Sequence, residues 1–122
     1  MIHDLNLVKA FHEKFEVPVL SKPSLISADR AKLRFNLMQE EVKEYLDGVE
    51  NRDIENVAKE LADILYVVYG TILEHGLQDK MDEIFEEVHR SNMSKSYHKY
   101  KMVKGEDYRQ ADLSSFFKES ED

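Results

Sequence analysis

The sequence predicts an all-α fold, an antiparallel four-helix bundle-like domain that associates with further copies of itself through its central helices. Four glycines and two prolines are spread over 122 residues, and no run alternates between apolar and polar side chains as a strand would. Apolar residues instead recur at helical spacing, and hydrophobic residues make up 42% of the chain, enough for one small core. Because there is no cysteine, disulfides, zinc-thiolate sites and cysteine nucleophiles are excluded.

The first half of the chain contains two predicted helices. The first covers about residues 5–15, and both prolines then fall in a loop over residues 16–27. The second covers residues 27–47, with Ser27 as its N-cap and Gly48 as its C-terminal stop.

The third predicted helix covers residues 53–75 and ends at Gly76, and a fourth covers residues 78–91. Short turns between them predict antiparallel neighbours. Residues 64–73 are apolar on nearly every side, and such a helix requires burial on every side. One small bundle cannot supply that burial, so we expect a dimer or a dimer of dimers.

The whole chain, residues 1–122, is predicted to be one domain, with a core at 27–95 and an extension at 96–122 that has no regular pattern. Its net charge of −8 gives no basic excess for binding a nucleic acid polymer. The most apolar stretch is too short to span a membrane, and residues 1–7 lack the basic and then apolar run that is typical of a signal peptide. We therefore expect a cytoplasmic protein.

The acidic residues of the two central helices lie on the stripes that should face the core: Glu40, Glu41 and Glu44 on the second helix, and Glu60 and Asp63 on the third. Buried carboxylates repel one another, and no arginine or lysine lies on the stripe of the third helix to neutralise them. A divalent cation resolves the conflict, and oxygen ligands without histidine indicate Mg²⁺ first and Mn²⁺ second.

Two simpler interpretations compete with this one. A single Glu-x-x-Glu pair is most often an ordinary surface feature, but two such pairs on facing stripes weaken that explanation. Glu86 and His89 form a Glu-x-x-His element of the kind used in di-iron bundles, yet those bundles use it twice and this chain has it once. The other histidines, among them His12, are predicted to be surface residues.

The acidic pattern resembles a known family. The sequence EEVKE at 40–44 and ELAD at 60–63 resembles the EExxE…ExxD signature of the all-α NTP pyrophosphohydrolases. The segment VHRSNMSK at 88–95 is similar to the one that follows the fourth helix in MazG-like and phosphoribosyl-ATP pyrophosphohydrolase-like members. Together these motifs cover about residues 30–95.

The resemblance implies hydrolysis between the α- and β-phosphates of a nucleoside triphosphate, which gives a nucleoside monophosphate and pyrophosphate, in a role such as nucleotide-pool sanitation. It assigns the metal ligands to Glu41, Glu44, Glu60 and Asp63. Glu40 is then the candidate base for the attacking water, since one carboxylate kept off the metal can take the water's proton.

The same resemblance makes Asn92 and Lys95 candidates for binding the substrate, and we predict Arg30 as a third. The remaining basic residues after the fourth helix either cover the triphosphate or form a solvated arm: Arg90, Lys99, Lys101 and Lys104. Two alternatives stay open: activity of the phosphoribosyl-ATP pyrophosphohydrolase type, and a non-catalytic helical interaction module whose acidic face binds a basic partner.

Overall fold

The computed structural model describes residues 1–98 and 101–118, with the backbone alone at residue 98, and its four helices confirm the all-α prediction. Two compact units divide the chain, Met1–Gln78 and a second unit that begins at Asp79. Each unit is described by itself. Within the described residues, every helix is too short or too polar to cross a membrane.

The first unit contains three helices: α1 (Ile2–Lys14), α2 (Ala28–Glu50) and α3 (Ile54–Glu74). Helix α3 packs against both of the others. Burial is deepest between α1 and α3, where four apolar side chains are almost fully removed from solvent: Leu5, Val8, Ile72 and Leu73. Helix α1 also reaches the middle of α3, where the rings of Phe11 and Tyr66 pack edge to face with centroids 5.5 Å apart.

The starts of α2 and α3 are set by the two residues that sequence chemistry favours. Ser27 caps α2, and its hydroxyl accepts a hydrogen bond from the backbone N–H of Arg30 at 3.2 Å. Asp53 caps α3 in the same way, and its carboxylate accepts from the N–H of Asn56 at 3.2 Å. Because these bonds satisfy orphan N–H groups at the helix starts, the cap at Ser27 and the predicted start of α3 are confirmed.

The prediction that Gly48 ends the second helix is wrong, because α2 continues to Glu50. Gly48 is buried inside the helix, where a Cβ atom would lie 3.0 Å from Nδ2 of Asn56 and 3.5 Å from the Val57 side chain. The glycine therefore lies at a close approach of α2 and α3 rather than at a turn.

Helices α2 and α3 run antiparallel, as predicted. Gly48 near the end of α2 meets Val57 near the start of α3, whereas Arg30 at the start of α2 bonds to Glu74 at the end of α3. Residue numbers that rise along one helix thus fall along the other. This antiparallel pairing places the middle of α2 beside the first half of α3.

The loop after α1 is fixed to the end of α3. Gly76 has φ of +68°, and a Cβ there would lie 2.1 Å from the carbonyl oxygen of Lys22. A side chain is thus excluded both by the left-handed backbone and by the close approach of the loop. The loop also donates from the N–H of Ser24 to the carbonyl of His75 at 2.9 Å.

The first half of α3 still exposes large apolar side chains in the single chain. Leu61, Leu65 and Tyr66 keep 47%, 52% and 39% of their surface exposed. Association of copies through this helix stays a prediction.

The second unit contains α4 (Met81–Met93), a hairpin of β1 (Ser96–His98) and β2 (Lys101–Val103), and a 3₁₀ turn (Ser114–Phe117). The fourth helix begins three residues later than predicted. The extension, which shows no regular pattern in sequence, begins with this hairpin, in which β1 and β2 pair antiparallel. Strands of three residues are too short to show an alternating pattern.

Candidate functional site

Three of the predicted metal ligands meet between α2 and α3. Glu41 on α2 and Glu60 and Asp63 on α3 each place a carboxylate oxygen within 4.8 Å of the other two. The i, i+3 spacing of Glu60 and Asp63 puts both on the α3 face beside α2, and the antiparallel pairing brings Glu41 opposite them. We call these three residues the acidic cluster.

The acidic cluster contains carboxylate oxygens that lack partners. Oε2 of Glu41 and Oε2 of Glu60 are buried, and neither has a hydrogen-bond partner among the described residues. Glu60 is 5% exposed. A buried carboxylate oxygen without a partner is costly, and a hard divalent cation is the ligand that a purely oxygen donor set suits. The residues present therefore fit a Mg²⁺ ion.

The charges of the cluster act on one another. Burial, and next the charges of Glu44 and Asp63, raises the pKa of Glu41 to about 7. This is the behaviour of carboxyls held together without enough positive charge.

Glu44, the fourth predicted ligand, lies one turn along α2 from the cluster. Its interaction with the Glu60 carboxyl, and next its burial, raises the pKa of Glu44 above the usual value. Glu44 is therefore close enough for the cluster to shift its pKa, although it is not one of the three residues whose oxygens converge.

Glu40, the predicted base, lies outside the acidic cluster. It is exposed, and its charge contributes to the raised pKa of Glu44. It also lines an open groove of about 920 Å³ on the outer side of α2, together with Asn36, Gln39, Val42, Lys43, Tyr45 and Leu46. Glu40 is thus next to Glu41 in sequence and close enough to Glu44 for its charge to act there, but it is not one of the three converging carboxylates.

The expectation that no basic residue reaches the acids of α3 is wrong. Nζ of Lys59 lies 2.7 Å from Oδ2 of Asp63 and 3.6 Å from Oε1 of Glu60. Lys59 precedes Asp63 by four residues, so the two lie on the same face of α3, and the four-carbon side chain of Lys59 also approaches the neighbouring Glu60.

Arg30, predicted to bind substrate, is engaged in an ion pair within the chain. Its Nε and Nη2 donate to Oε1 of Glu74 at 3.0 and 2.8 Å. Arg34 joins from the other side, with Nη1 3.0 Å from Oε2 of Glu74, an ionic contact that lacks the alignment of a hydrogen bond. We call these three residues the arginine-paired site.

Arg34 is further held by α3. Its Nε donates to Oγ1 of Thr71 at 3.0 Å, and its Nη2 donates to the carbonyl of Val67 at 2.8 Å. Burial lowers the pKa of Arg34 from its usual value, and the neighbouring Glu74 opposes that shift. A guanidinium held by three partners on α3 serves the packing of α2 on α3.

His12 was expected at the surface and is instead buried, with 2% of its surface exposed. Its Nδ1 lies 3.1 Å from the carbonyl oxygen of Pro18. A Cβ at Gly70 would lie 2.8 Å from Nε2 of His12 and 2.5 Å from Nη2 of Arg34, so only glycine fits there. The signal was available, because His12 follows Leu5 and Val8 at helical spacing.

Asn92 and Lys95, the other predicted substrate residues, belong to the second unit. Asn92 is exposed at the end of α4, and its carbonyl accepts a hydrogen bond from the N–H of Lys95 at 3.1 Å. Their role in binding substrate stays a prediction.

The basic residues beyond α4 are in different situations. Arg90 pairs with Glu87 and donates to the carbonyl of Gln110 at 3.1 Å, so it ties α4 to the segment near residue 110. Lys101 and Lys104 are exposed, and Lys99 lies outside the described residues.

Comparison with known proteins identifies one family. Residues 8–92 match the family model described as phosphoribosyl-ATP pyrophosphohydrolase, and that match covers more than two thirds of the chain. The matched residues include the whole acidic cluster. The comparison with curated proteins found no match.

Proposed function

Because the chain belongs to the phosphoribosyl-ATP pyrophosphohydrolase family, we propose that it is a Mg²⁺-dependent nucleoside triphosphate pyrophosphohydrolase. Its family makes it a nucleotide pyrophosphohydrolase, which is a hydrolase acting on acid anhydrides. In the proposed reaction water attacks the α-phosphorus, and the bond from that phosphorus to the oxygen bridging to the β-phosphate breaks. The products are a nucleoside monophosphate and pyrophosphate. Removal of unwanted nucleotides from the cellular pool is the role we propose for it.

One observation supports this proposal above the others: three carboxylates converge within 4.8 Å, and two buried oxygens among them have no hydrogen-bond partner in the part of the chain that the structure describes. We assign Glu41, Glu60 and Asp63 as ligands, with Glu44 as a fourth from the next turn of α2. When bound there, Mg²⁺ would supply positive charge that neutralises the phosphate oxygens and the leaving pyrophosphate. Mn²⁺ has a similar preference for oxygen ligands and is expected to substitute.

We assign Glu40 as the general base. It is exposed, so its carboxylate can meet a water molecule, and it is near enough to Glu44 to influence that residue's pKa. A carboxylate outside the ligand set keeps its oxygens free to accept the proton of the attacking water. The groove beside Glu40 has a volume within the range of small-molecule sites, about 300–1,000 Å³.

A second candidate substrate follows from the family description. Phosphoribosyl-ATP presents the same bond between its α- and β-phosphates, so the same carboxylates could serve its hydrolysis. The two candidates differ in the base and in what is bonded to it, and not in the bond broken, so only a substrate comparison separates them.

The decisive experiment is a nucleotide panel assayed for pyrophosphate release with Mg²⁺, with Mn²⁺ and with a chelator. The panel contains the canonical ribo- and deoxyribonucleoside triphosphates, oxidised deoxynucleotides and phosphoribosyl-ATP. We expect release from at least one nucleotide, with metal only. Release from phosphoribosyl-ATP alone would select the second candidate, and no release from any member would favour the non-catalytic interaction module.

Variants assign the roles. Glu60→Gln is expected to lower kcat/KM by about three orders of magnitude, because it removes a ligand. Glu40→Gln is expected to lower kcat by about 10²–10⁴-fold while Mg²⁺ still binds. Exposed Glu55 on α3 gives the matched control, and Glu55→Gln should retain wild-type kinetics. Loss of Mg²⁺ binding in Glu40→Gln would make Glu40 a ligand instead.

A further inference from the structure

Lys59 occupies an unusual position beside the acidic cluster. Its Nζ contacts Asp63 at 2.7 Å and approaches Glu60 at 3.6 Å, so one ammonium group touches two of the three carboxylates that converge. The side chain of Lys59 is 68% exposed, whereas that of Glu60 is 7% exposed. A solvated cation thus contacts a cluster in which Glu60 is buried and Asp63, with a side chain 36% exposed, is partly open to solvent.

The Lys59 ammonium is a partner for only some of the carboxylate oxygens in the acidic cluster. Oε2 of Glu41 and Oε2 of Glu60 stay buried without partners among the described residues. The single positive charge of Lys59 faces three cluster carboxyls, and Glu44 adds a fourth carboxyl one helical turn away. The site is therefore partly neutralised by the chain itself and has capacity for a further cation.

We propose that Lys59 is the resident counter-ion of the acidic cluster, and that a divalent cation must displace its ammonium from Asp63 in order to bind. This inference rests on the proposed function, in which Glu41, Glu60 and Asp63 are metal ligands. Lys59 then sets the affinity of the site: it holds the carboxylates together without metal, and it weakens metal binding by competing for Asp63.

Displacement follows from charge and reach. An ammonium and a divalent cation that share one carboxylate repel each other within a few ångströms, and the repulsion grows as water is excluded. Lys59 can leave at low cost, because its long, flexible side chain is mostly exposed and an exposed ion pair is weak. Lys59 therefore lowers the affinity of the site without closing it.

The experiment is a calorimetric titration of the full chain with MgCl₂ and with MnCl₂, without nucleotide and at fixed pH and ionic strength. Lys59→Met keeps the length and helix propensity of the side chain and removes its charge. We expect Lys59→Met to bind both metals roughly two- to tenfold more tightly than wild type. Lys59→Arg, which keeps the positive charge, should remain close to wild type.

Lys32→Met is the matched control. Lys32 is an exposed lysine of α2, nine residues and about 13 Å of helix rise before Glu41. Its loss changes the net charge equally, so a general electrostatic effect would tighten binding in both variants. We expect unchanged affinity in Lys32→Met.

Thermal melts provide a second readout. Lys59→Met should melt at a lower temperature than wild type in chelator, and should gain more from saturating Mg²⁺. Equal or weaker metal binding by Lys59→Met, beside clear binding by wild type, would overturn the role of Lys59 and leave the proposed metal site intact. Absence of metal binding in wild type and Lys59→Met alike would overturn both.

Discussion

Two carboxylate sites lie along the same pair of helices, α2 and α3, and they obtain positive charge in different ways. At the arginine-paired site, Glu74 is 1% exposed and is held by Arg30 and Arg34. At the acidic cluster, Glu60 is 5% exposed and its nearest basic group is the flexible Lys59. The two glutamates are 14 residues apart on α3, about 21 Å of helix rise.

The difference separates a structural carboxylate from a candidate functional one. Both Arg34 and Glu74 are removed from solvent, with side chains 8% and 1% exposed, and each supplies the other's counter-charge. In the cluster, Oε2 of Glu41 and Oε2 of Glu60 stay buried without a hydrogen-bond partner among the described residues. Unpaired buried polar groups persist where a function or a ligand compensates for their cost.

The largest expected effect on stability tests the arginine-paired site. Glu74→Gln leaves Arg34 buried, with its remaining bonds to Thr71 and Val67 but without a counter-charge. Breaking a buried pair in this way typically costs about 3–5 kcal/mol. We expect a loss of that size in the free energy of unfolding by urea. Exposed Glu55→Gln is the control. If Glu74→Gln lost less than about 0.5 kcal/mol, the scale of ordinary surface changes, the pair would contribute little to stability.

Metal binding is the next largest effect and should respond only to the acidic cluster. Mg²⁺ at a hundredfold its dissociation constant should stabilise the wild type by about 2.7 kcal/mol, because it binds the folded chain alone. Glu74→Gln should keep this increment, and Glu60→Gln should lose it. Melting with Mg²⁺ and with chelator measures each increment. Equal increments in the two variants would remove the distinction between the sites.

Local chemistry explains which parts of the fold could be predicted from sequence. The cap at Ser27 depends on a bond to a neighbour three residues away, and the end of α3 depends on the left-handed backbone at Gly76. The place of Gly48 inside the helix could not be predicted, because it depends on contact with Asn56 and Val57 across the helix pair, and only the folded chain brings these residues close.

The same distinction applies to the candidate site. The convergence of Glu41, Glu60 and Asp63 was predictable, because helical spacing defines the face on which each acid lies. The pairing of Arg30 with Glu74 was not, because 44 residues separate them and either could have faced solvent. Helical spacing determines the face on which a Cβ atom lies, whereas an ion pair depends on the position of the charged group at the end of a long side chain.

A smaller effect of opposite sign is expected at the cluster. In chelator, Glu60→Gln removes one negative charge from a group of converging carboxyls, so it should stabilise the chain by about 0.5–1 kcal/mol. Glu74→Gln destabilises under the same conditions, so one kind of substitution separates the two sites by sign. Urea unfolding with chelator measures both. Clear destabilisation by Glu60→Gln would mean that Lys59 already neutralises the cluster.

The smallest expected effect is the pH dependence of stability, which follows from Glu41. Its pKa is about 7 in the folded chain, against an ordinary value of 4.5, so between these values the folded state holds more protons than the unfolded state. Stability in chelator should therefore fall as pH rises from about 4.5 to about 7, and this contribution should be constant above pH 7. The slope is modest, because Glu41 is only half-buried and solvent screens its charge.

Glu41→Gln isolates this contribution from the other titrating groups. Melts of wild type and variant in chelator, at pH values between 4.5 and 8, give the stability of each as a function of pH. The two plots of stability against pH should differ in slope below pH 7 and run parallel above it. Saturating Mg²⁺ should reverse the slope of the wild type, because the ion binds the deprotonated carboxylates and binding becomes stronger as they lose protons. Identical slopes in chelator would show that the charges of the cluster are already balanced, and the contrast with the arginine-paired site would then concern burial alone.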